Sequence, residues 1–291
     1  MTAHYPGHPL RWVHITYIMI RISLCIAFAL TAFTLTAQKG WEAGGWAGVS
    51  YYFGDLNTQF DLSRPGVGVG AIGRYNFNNR ICFKLGVNAG NVGADDANSD
   101  NAFERQRNLS FSTNYYEAAG QIEFNFMNYT HGSRDDFFSP YLFAGFSMVQ
   151  FNPRAQVNGQ WEDLRPLGTE GQFRGDEYYT SSPSLLYGMG IKLDLSPVWS
   201  LNFELTGRRM FTDFLDDVSG VYPDMDDLES LRGETAVIFS DPSIVGPNEV
   251  KIGQPGRQRG DSVGHDSLVS FGVGLVRYFG DLECPSVSRR Y

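Results

Sequence analysis

The sequence has little of several residue types, and each shortage narrows the class of protein. Charged residues make up 19% of the 291 positions, and no apolar run after Gln38 approaches the ~20 residues of a membrane-spanning helix. A helical membrane protein is therefore excluded. Of three cysteines, Cys25 lies inside the N-terminal apolar run, which leaves Cys82 and Cys284 to form one disulfide or to remain free thiols.

The apolar run at the N-terminus has the layout of a secretory signal peptide. Arg21 precedes an apolar stretch that ends in small residues at Ala37, whereas residues 1–18 are unlike an export leader. The run is shorter than a transmembrane anchor and contains several threonines. We predict a cleaved signal region at 1–37, with Met19 as an alternative start. The remaining 21 basic and 32 acidic residues give a net charge of −11, which argues against a nucleic-acid partner.

Glycine and aromatic residues are abundant instead. The chain has 33 Gly, 22 Phe and 15 Tyr, and its mean hydropathy is slightly negative, at −0.25. This composition favours short alternating strands over long apolar helices. In 80–90, for example, every second residue from Ile81 to Ala89 is apolar, and the other face carries Lys84 and Asn88.

Eight segments show this two-residue period. They are 42–53, 66–77, 80–90, 116–126, 140–151, 184–195, 199–206 and 267–279. Several have about 11 residues, which matches the ~9–11 of a tilted membrane strand better than the ~5–6 of a globular strand. We predict an all-β fold for residues 38–291: an eight-stranded antiparallel transmembrane β-barrel in the outer membrane of a Gram-negative bacterium.

The connections between these strands alternate in length. One set comprises 78–79, 128–139 and 196–197, and the other comprises 54–65, 91–110, 152–182 and 212–266. Outer-membrane barrels have short periplasmic turns and long extracellular loops. We therefore predict that both chain ends are periplasmic and that 91–110, 152–182 and 212–266 are long extracellular loops. The prolines of 212–266 predict an irregular cover there.

The densest polar cluster follows the seventh predicted strand. Arg208 and Arg209 precede a segment, 213–229, that contains seven acids. Calcium prefers such oxygen ligands, but the spacing differs from that of an EF-hand loop, so a cation there stays open and no cofactor is expected. We expect an acidic loop over the barrel whose nearest carboxylates pair with the two arginines at the rim. The candidates for partner contact or loop organisation are Arg208, Arg209, Asp213, Asp216, Asp217 and Asp55.

The sequence YFGDL occurs twice, at 52–56 and at 278–282. Each copy closes a predicted strand, and the alternation of strand directions places the two at opposite rims of the barrel. We expect the aromatic residues to join the interfacial girdles, the glycine to let the chain turn, and the aspartate, Asp55 in the first copy, to meet water.

Catalytic residues are scarce. The only histidines after the signal region are His131 and His265. The predicted topology puts them at opposite ends of the barrel, where they cannot act together in one catalytic site. One alternative function is a small outer-membrane enzyme acting on lipid or peptide, using His265, Asp266 and a loop serine. Another is a passive ligand-binding barrel. Because side chains nearly fill an eight-stranded interior, a substrate-conducting pore is not expected.

Three stretches resemble a known family. They are GVSYYFGDLN at 48–57, SPYLFAGFSMVQFNP at 139–153 and GRRMFTDFLDDVSGVY at 207–222, and together they are similar to PorG, the outer-membrane barrel of the type IX secretion system. The resemblance implies a non-enzymatic component that anchors or organises a periplasmic ring of PorK and PorN type. The third stretch begins at the predicted outer rim. The ring contacts are therefore expected at 128–139 and in the tail after Phe279.

Overall fold

A computed structural model describes residues 39–157, 159–246, 250–261 and 264–282. The predicted signal region at 1–37 and the pairing of Cys284 lie outside these residues. Most of the described chain is β-strand. The barrel strands are β1 (Gly40–Phe53), β2 (Gly66–Asn76), β3 (Ile81–Asp95), β4 (Ser110–Asn125), β5 (Phe138–Val157), β7 (Ser181–Asp194), β8 (Trp199–Met210) and β9 (Ser267–Phe279), with a short strand β6 (Gln160–Asp163).

The strands form one closed antiparallel ring. Their order is β4-β3-β2-β1-β9-β8-β7-β5, and β4 also pairs with β5, which closes the barrel. The seam between the first and last strands is continuous, from Trp41 opposite Phe279 to Phe53 opposite Ser267. The prediction of an eight-stranded antiparallel barrel is confirmed. The strand β6 lies outside the ring and pairs with the end of β5 that extends beyond it.

Side-chain direction follows the predicted alternation. Val87, Ile122 and Met189 are exposed on the outer surface, whereas Lys84, Glu123 and their neighbours point into a polar interior. A closed barrel with an apolar outer face and a polar interior is the architecture of outer-membrane barrels, because every backbone group is paired without a free edge. This architecture supports the predicted outer-membrane location. No helix among the described residues is long and apolar enough to cross a membrane.

The strands extend further at the end with long connections than the sequence predicts. β3 and β4 remain paired as far as Asp95 opposite Ser110, so most of the predicted 91–110 loop is sheet and a short helix, α1 (Ala102–Arg107). β5 likewise continues to Val157 inside the predicted 152–182 loop. The prediction failed there because the alternation is inverted in these extensions: the outer face is polar, and apolar residues such as Val92 and Ala94 face inward.

The 212–266 connection is a packed cap and not the predicted irregular cover. It contains α2 (Met225–Arg232) and α3 (Glu234–Ser240). Its apolar residues form one core with the strand extensions: Leu215, Val218 and Phe239 pack with Tyr52, Leu56, Val92, Ala94, Phe111, Phe151 and Leu268. Pro223, Pro242 and Pro255 lie outside the two helices, so they do not interrupt the helical hydrogen bonds.

Candidate functional site

The barrel interior is filled by a network of buried charges centred on Arg74. Its Nη1 lies 2.6 Å from Glu42 Oε2, and its Nε lies 2.9 Å from Glu123 Oε2. None of these three side chains is exposed. A buried charge is tolerated only where it is paired, so the arginine and the two carboxylates depend on one another.

Two lysines extend this luminal network across the barrel. Lys192 Nζ lies 2.7 Å from Glu123 Oε2, and Lys84 Nζ lies 2.5 Å from Glu204 Oε2, which also accepts a 2.7 Å hydrogen bond from the Tyr141 hydroxyl. The side chains leave a central cavity of about 40 Å³, beside Lys84 and Glu204. That space holds a few water molecules, and the prediction of a nearly filled interior agrees with it.

The two adjacent arginines of β8 have different environments. Arg208 points inward, where its Nε lies 2.7 Å from Glu117 Oε1 and its Nη1 donates to Ser270 at 2.8 Å. Arg209 points outward and is exposed. The prediction that both pair with loop carboxylates at the rim is therefore wrong. Neighbouring strand residues face opposite sides of the sheet, so the two could not share one set of partners.

The connection between β4 and β5 closes the end of the lumen that carries the short connections. His131 is buried between two carboxylates, with Nε2 3.1 Å from Glu42 Oε1 and Nδ1 3.1 Å from Asp194 Oδ1. Its ring stacks on Tyr278 of the second YFGDL copy at a centroid distance of 4.4 Å. Tyr278 thus faces inward. The prediction that it joins the aromatic girdle on the outer surface is wrong. The histidine fastens this connection inside the barrel mouth.

The first YFGDL copy holds the outer cap in place. The Tyr52 hydroxyl lies 2.5 Å from Asp216 Oδ2 and 2.9 Å from Asp266 Oδ1, and all three residues are buried. Asp266 Oδ2 also accepts a 2.8 Å hydrogen bond from the Leu215 N–H. Asp55 is partly buried and accepts a 3.1 Å bond from the Asp261 N–H, so it does not simply meet water as expected. We call Tyr52, Asp55, Asp213, Asp216 and Asp266 the anchor cluster.

The carboxyl groups of the anchor cluster have raised pKa values. Burial raises the pKa of Asp216 well above its ordinary value, and the neighbouring Asp266 carboxylate raises it further. Burial likewise raises the pKa of Asp266. Burial also raises the pKa of Asp55 to about 7 and that of Asp213 to about 6. The cluster therefore favours protonated carboxyl groups.

Asp217 fastens the cap to the neighbouring loop. Its carboxylate accepts hydrogen bonds from Thr169 and, at 2.6 Å, from the Tyr178 hydroxyl. Arg259 completes the contact, with Nη1 3.1 Å from Glu170 Oε1 and 2.5 Å from the Asp217 carbonyl oxygen. Burial raises the pKa of Asp217 to about 6, against the opposing effect of Arg259. Among the six candidate residues, Asp55, Asp216 and Asp217 accept hydrogen bonds from other residues at this end of the barrel.

The remaining acids of 213–229 have structural roles in α2. The Asp224 carboxylate accepts hydrogen bonds from the N–H groups of Asp226 and Asp227 and so caps the helix. Asp226 and Asp227 lie in its first turn, where the helix dipole favours negative charge. Among the described residues no group of three or more His, Cys, Asp or Glu is arranged to hold a metal ion.

Comparison with family models decides the family. Residues 21–237 match the model described as a domain of unknown function, DUF6089. The chain belongs to the DUF6089 family. The match ends inside α3, so β9, which closes this DUF6089 barrel, lies beyond the matched range.

Solved structures similar to this DUF6089 chain are small outer-membrane proteins. Neisserial surface protein A is 10% identical, with a TM-score of 0.42, over 82% of this chain and 97% of that one. Ail of Yersinia pestis is 13% identical, with a TM-score of 0.39, over 84% and 100%. OprG of Pseudomonas aeruginosa is 12% identical, with a TM-score of 0.39, over 84% and 97%. No curated protein matches the chain. The fold rests on the strand order and register above.

The alternative catalytic arrangement in this DUF6089 barrel does not form around His265. That histidine is exposed in the cap, whereas the carboxylate of the adjacent Asp266 is buried against Tyr52 and the Leu215 N–H. The other histidine, His131, lies at the opposite end of the barrel, as predicted. The Asp266 carboxylate therefore does not orient His265 in the way that the alternative catalytic site requires.

Sequence reasoning missed several residues that organise this DUF6089 barrel. Arg74, Glu123 and Lys192 are assigned to the inner face by alternation, but alternation does not say which of them pair. Arg107 and Arg259 had no signal at all, because their partners are backbone carbonyls and acids distant in sequence.

Proposed function

We propose that this DUF6089 barrel is a non-enzymatic component of the type IX protein secretion apparatus, which anchors or organises a periplasmic ring complex. One observation carries the structural role: the lumen is filled by buried ion pairs and lies beneath a packed cap. Such a barrel offers a rigid membrane-embedded surface to partners, because a narrow interior occupied by side chains leaves no path for a protein substrate.

The resemblance of three segments to PorG supports the assignment to this apparatus. Two of those segments, 48–57 and 207–222, meet in the anchor cluster, where Tyr52 contacts Asp216. Two of the three segments that carry the resemblance therefore contact each other in the folded chain. Contact between two segments that resemble PorG supports the assignment of the chain to a PorG-like barrel. The partner proteins stay a proposal.

The contact surface for ring proteins of PorK and PorN type is proposed at the end opposite the cap. The 207–222 segment is committed to the anchor cluster and lies at the outer end. At the other end, the connection between β4 and β5 is fastened by His131 and presents Arg134 and Asp135 to solvent. This connection is the longest of the three at that end, which makes it the best candidate contact.

Photo-cross-linking from each end of the barrel tests the proposal. A photoreactive residue at Asp135, which is exposed at the periplasmic end, is expected to capture ring proteins in intact cells. The matched control carries the same residue at Asp226, which is exposed on the cap. Capture from the cap alone, or normal cargo secretion in a strain that lacks the barrel, would contradict the proposed role.

Planar-bilayer recordings test the filled lumen separately. We expect the purified barrel to show no sustained conductance, because the cavity beside Lys84 and Glu204 has a volume of about 40 Å³. Porins, by contrast, enclose a continuous aqueous channel. A steady open channel in the wild-type protein would favour the passive, ligand-binding barrel over the assembly component.

A further inference from the structure

The outward face of β8 and β9 carries two arginines, one at each end of an apolar band. Arg209 lies near the outer end of β8, Arg277 lies near the periplasmic end of β9, and both are exposed. Gly207 and seven apolar residues separate them on this face: Leu201, Phe203, Leu205, Val269, Phe271, Val273 and Leu275.

The spacing of the two arginines matches the thickness of a membrane. In the β8–β9 register Trp199 lies opposite Arg277, and Arg209 lies opposite Ser267. Ten residues, from 199 to 209, therefore separate the two levels. At ~3.3 Å per residue and a strand tilt of ~40°, ten residues rise about 25 Å, which is the height of the apolar band of an outer-membrane barrel. Each guanidinium group therefore lies at a membrane–water interface.

Arg209 differs from three other arginines near this end of the barrel, each of which forms an ion pair with a carboxylate. Arg208 pairs with Glu117 inside the barrel, Arg154 pairs with Asp163 and Arg64 pairs with Asp95. Within the described part of the chain, no carboxylate forms an ion pair with Arg209. A guanidinium group at the interface finds its counter-charge in the lipid.

A tyrosine completes a shallow cradle beside Arg209. Gly207 is the next outward position of β8 toward the membrane centre, and it lies opposite Tyr187 of β7. A Cβ atom at Gly207 would lie 2.9 Å from Tyr187 Cε2 and 3.3 Å from its hydroxyl oxygen, so the tyrosine ring crosses over onto β8. The glycine thus makes room for the phenol group of Tyr187 at a position two residues along β8 from Arg209.

We propose that Arg209 and Tyr187 form a binding site for the phosphate-bearing headgroup of an outer-leaflet glycolipid. The guanidinium group is suited to bind a phosphate through two parallel hydrogen bonds, and the phenol supplies a further donor. The acyl chains lie along the apolar face formed by Leu205 and Phe271. The site is independent of the proposed secretion role, since it uses only the lipid-facing surface.

Native mass spectrometry of the full barrel in detergent tests this site with diphosphoryl lipid A. We expect the wild-type protein to retain the lipid, Arg209→Gln to bind about tenfold more weakly, and Arg209→Lys to recover part of the loss. Tyr187→Phe is expected to cause a smaller decrease. Removal of the lipid A phosphates with phosphatase should weaken binding to the wild-type protein as much as Arg209→Gln does. Both changes remove the contact between the phosphate and the guanidinium group.

Two controls keep the result specific. Arg154→Gln removes another outward arginine of the outer end, one that is paired with Asp163, and should leave lipid binding unchanged. Inorganic phosphate at the lipid concentration should not compete. Equal lipid binding by wild type and by Arg209→Gln, with heat-modifiable gel mobility showing both to be folded, would overturn the site. Full competition by inorganic phosphate would overturn its assignment to a lipid.

Discussion

Replacing Arg74 by alanine is expected to lower the free energy of unfolding of the barrel by about 3–5 kcal/mol. Arg74 is buried and lies 2.6 Å from Glu42 and 2.9 Å from Glu123. Without the guanidinium group, the buried carboxylates of Glu42 and Glu123 lose a positively charged partner. The remaining cations near Glu123, Lys84 at 3.6 Å and Lys192 at 2.7 Å, cannot replace its contact with Glu42.

Urea titration in lipid vesicles, read by heat-modifiable gel mobility, measures the effect of Arg74→Ala. The matched control is Arg154→Ala, which removes an ion pair between side chains that are 45% and 49% exposed. Exposed pairs contribute about 0–1 kcal/mol, so the control should unfold almost like wild type. If Arg74→Ala unfolded at the wild-type urea concentration, the lumen would not depend on this network.

Much of the fold could be predicted from the sequence because the membrane imposes one simple pattern. Inside the apolar band each strand must alternate between lipid and lumen, so Leu85 and Lys84, or Ile122 and Glu123, reveal their sides directly. The alternation of short and long connections then predicts which strand ends lie together at each end of the barrel. Beyond the apolar band the apolar residues face inward and the outer face is polar, so the extensions of β3, β4 and β5 were predicted as loops.

The candidate site was less predictable because its contacts join distant segments. The sequence made Asp216 and Asp217 candidates for loop organisation, but their partners Tyr52 and Thr169 lie far away in the chain. Arg208 was assigned to the same cluster by proximity in sequence. One step of strand alternation turns it into the lumen instead, which shows that neighbours in sequence are poor guides at a barrel rim.

The anchor cluster requires a proton, which makes the cap sensitive to pH. The Tyr52 hydroxyl contacts carboxylates of both Asp216 and Asp266, but a hydroxyl group has one hydrogen and can donate to only one of them. The other contact is a hydrogen bond only if that carboxyl group is itself protonated. Arg107 donates hydrogen bonds to the Asp55 carbonyl oxygen and to Asp96, so it does not neutralise the carboxyl groups of Asp216 and Asp266.

The cap should therefore be tightest in acid and loosen as the pH rises. The folded-state pKa values of Asp216, Asp266 and Asp55 are raised above the ordinary 3.8, so the protonated carboxyl groups contribute stability fully below that value. This contribution is lost as the pH rises through the folded values, which are about 6 for Asp213 and about 7 for Asp55. The predicted window extends from about pH 4 to above pH 7.

Hydrogen exchange of the cap amides, corrected for the intrinsic effect of pH, measures this loosening. Protection in α2 and α3 is expected to fall about tenfold or more between pH 5 and pH 8, because one unit of raised pKa corresponds to about 1.4 kcal/mol. Asp266→Asn mimics the protonated acid and should flatten the dependence. Asp224→Asn, at the exposed cap of α2, should keep the wild-type slope. Protection that is constant with pH in wild type, or an unchanged slope in Asp266→Asn, would show that the anchor cluster does not share a proton.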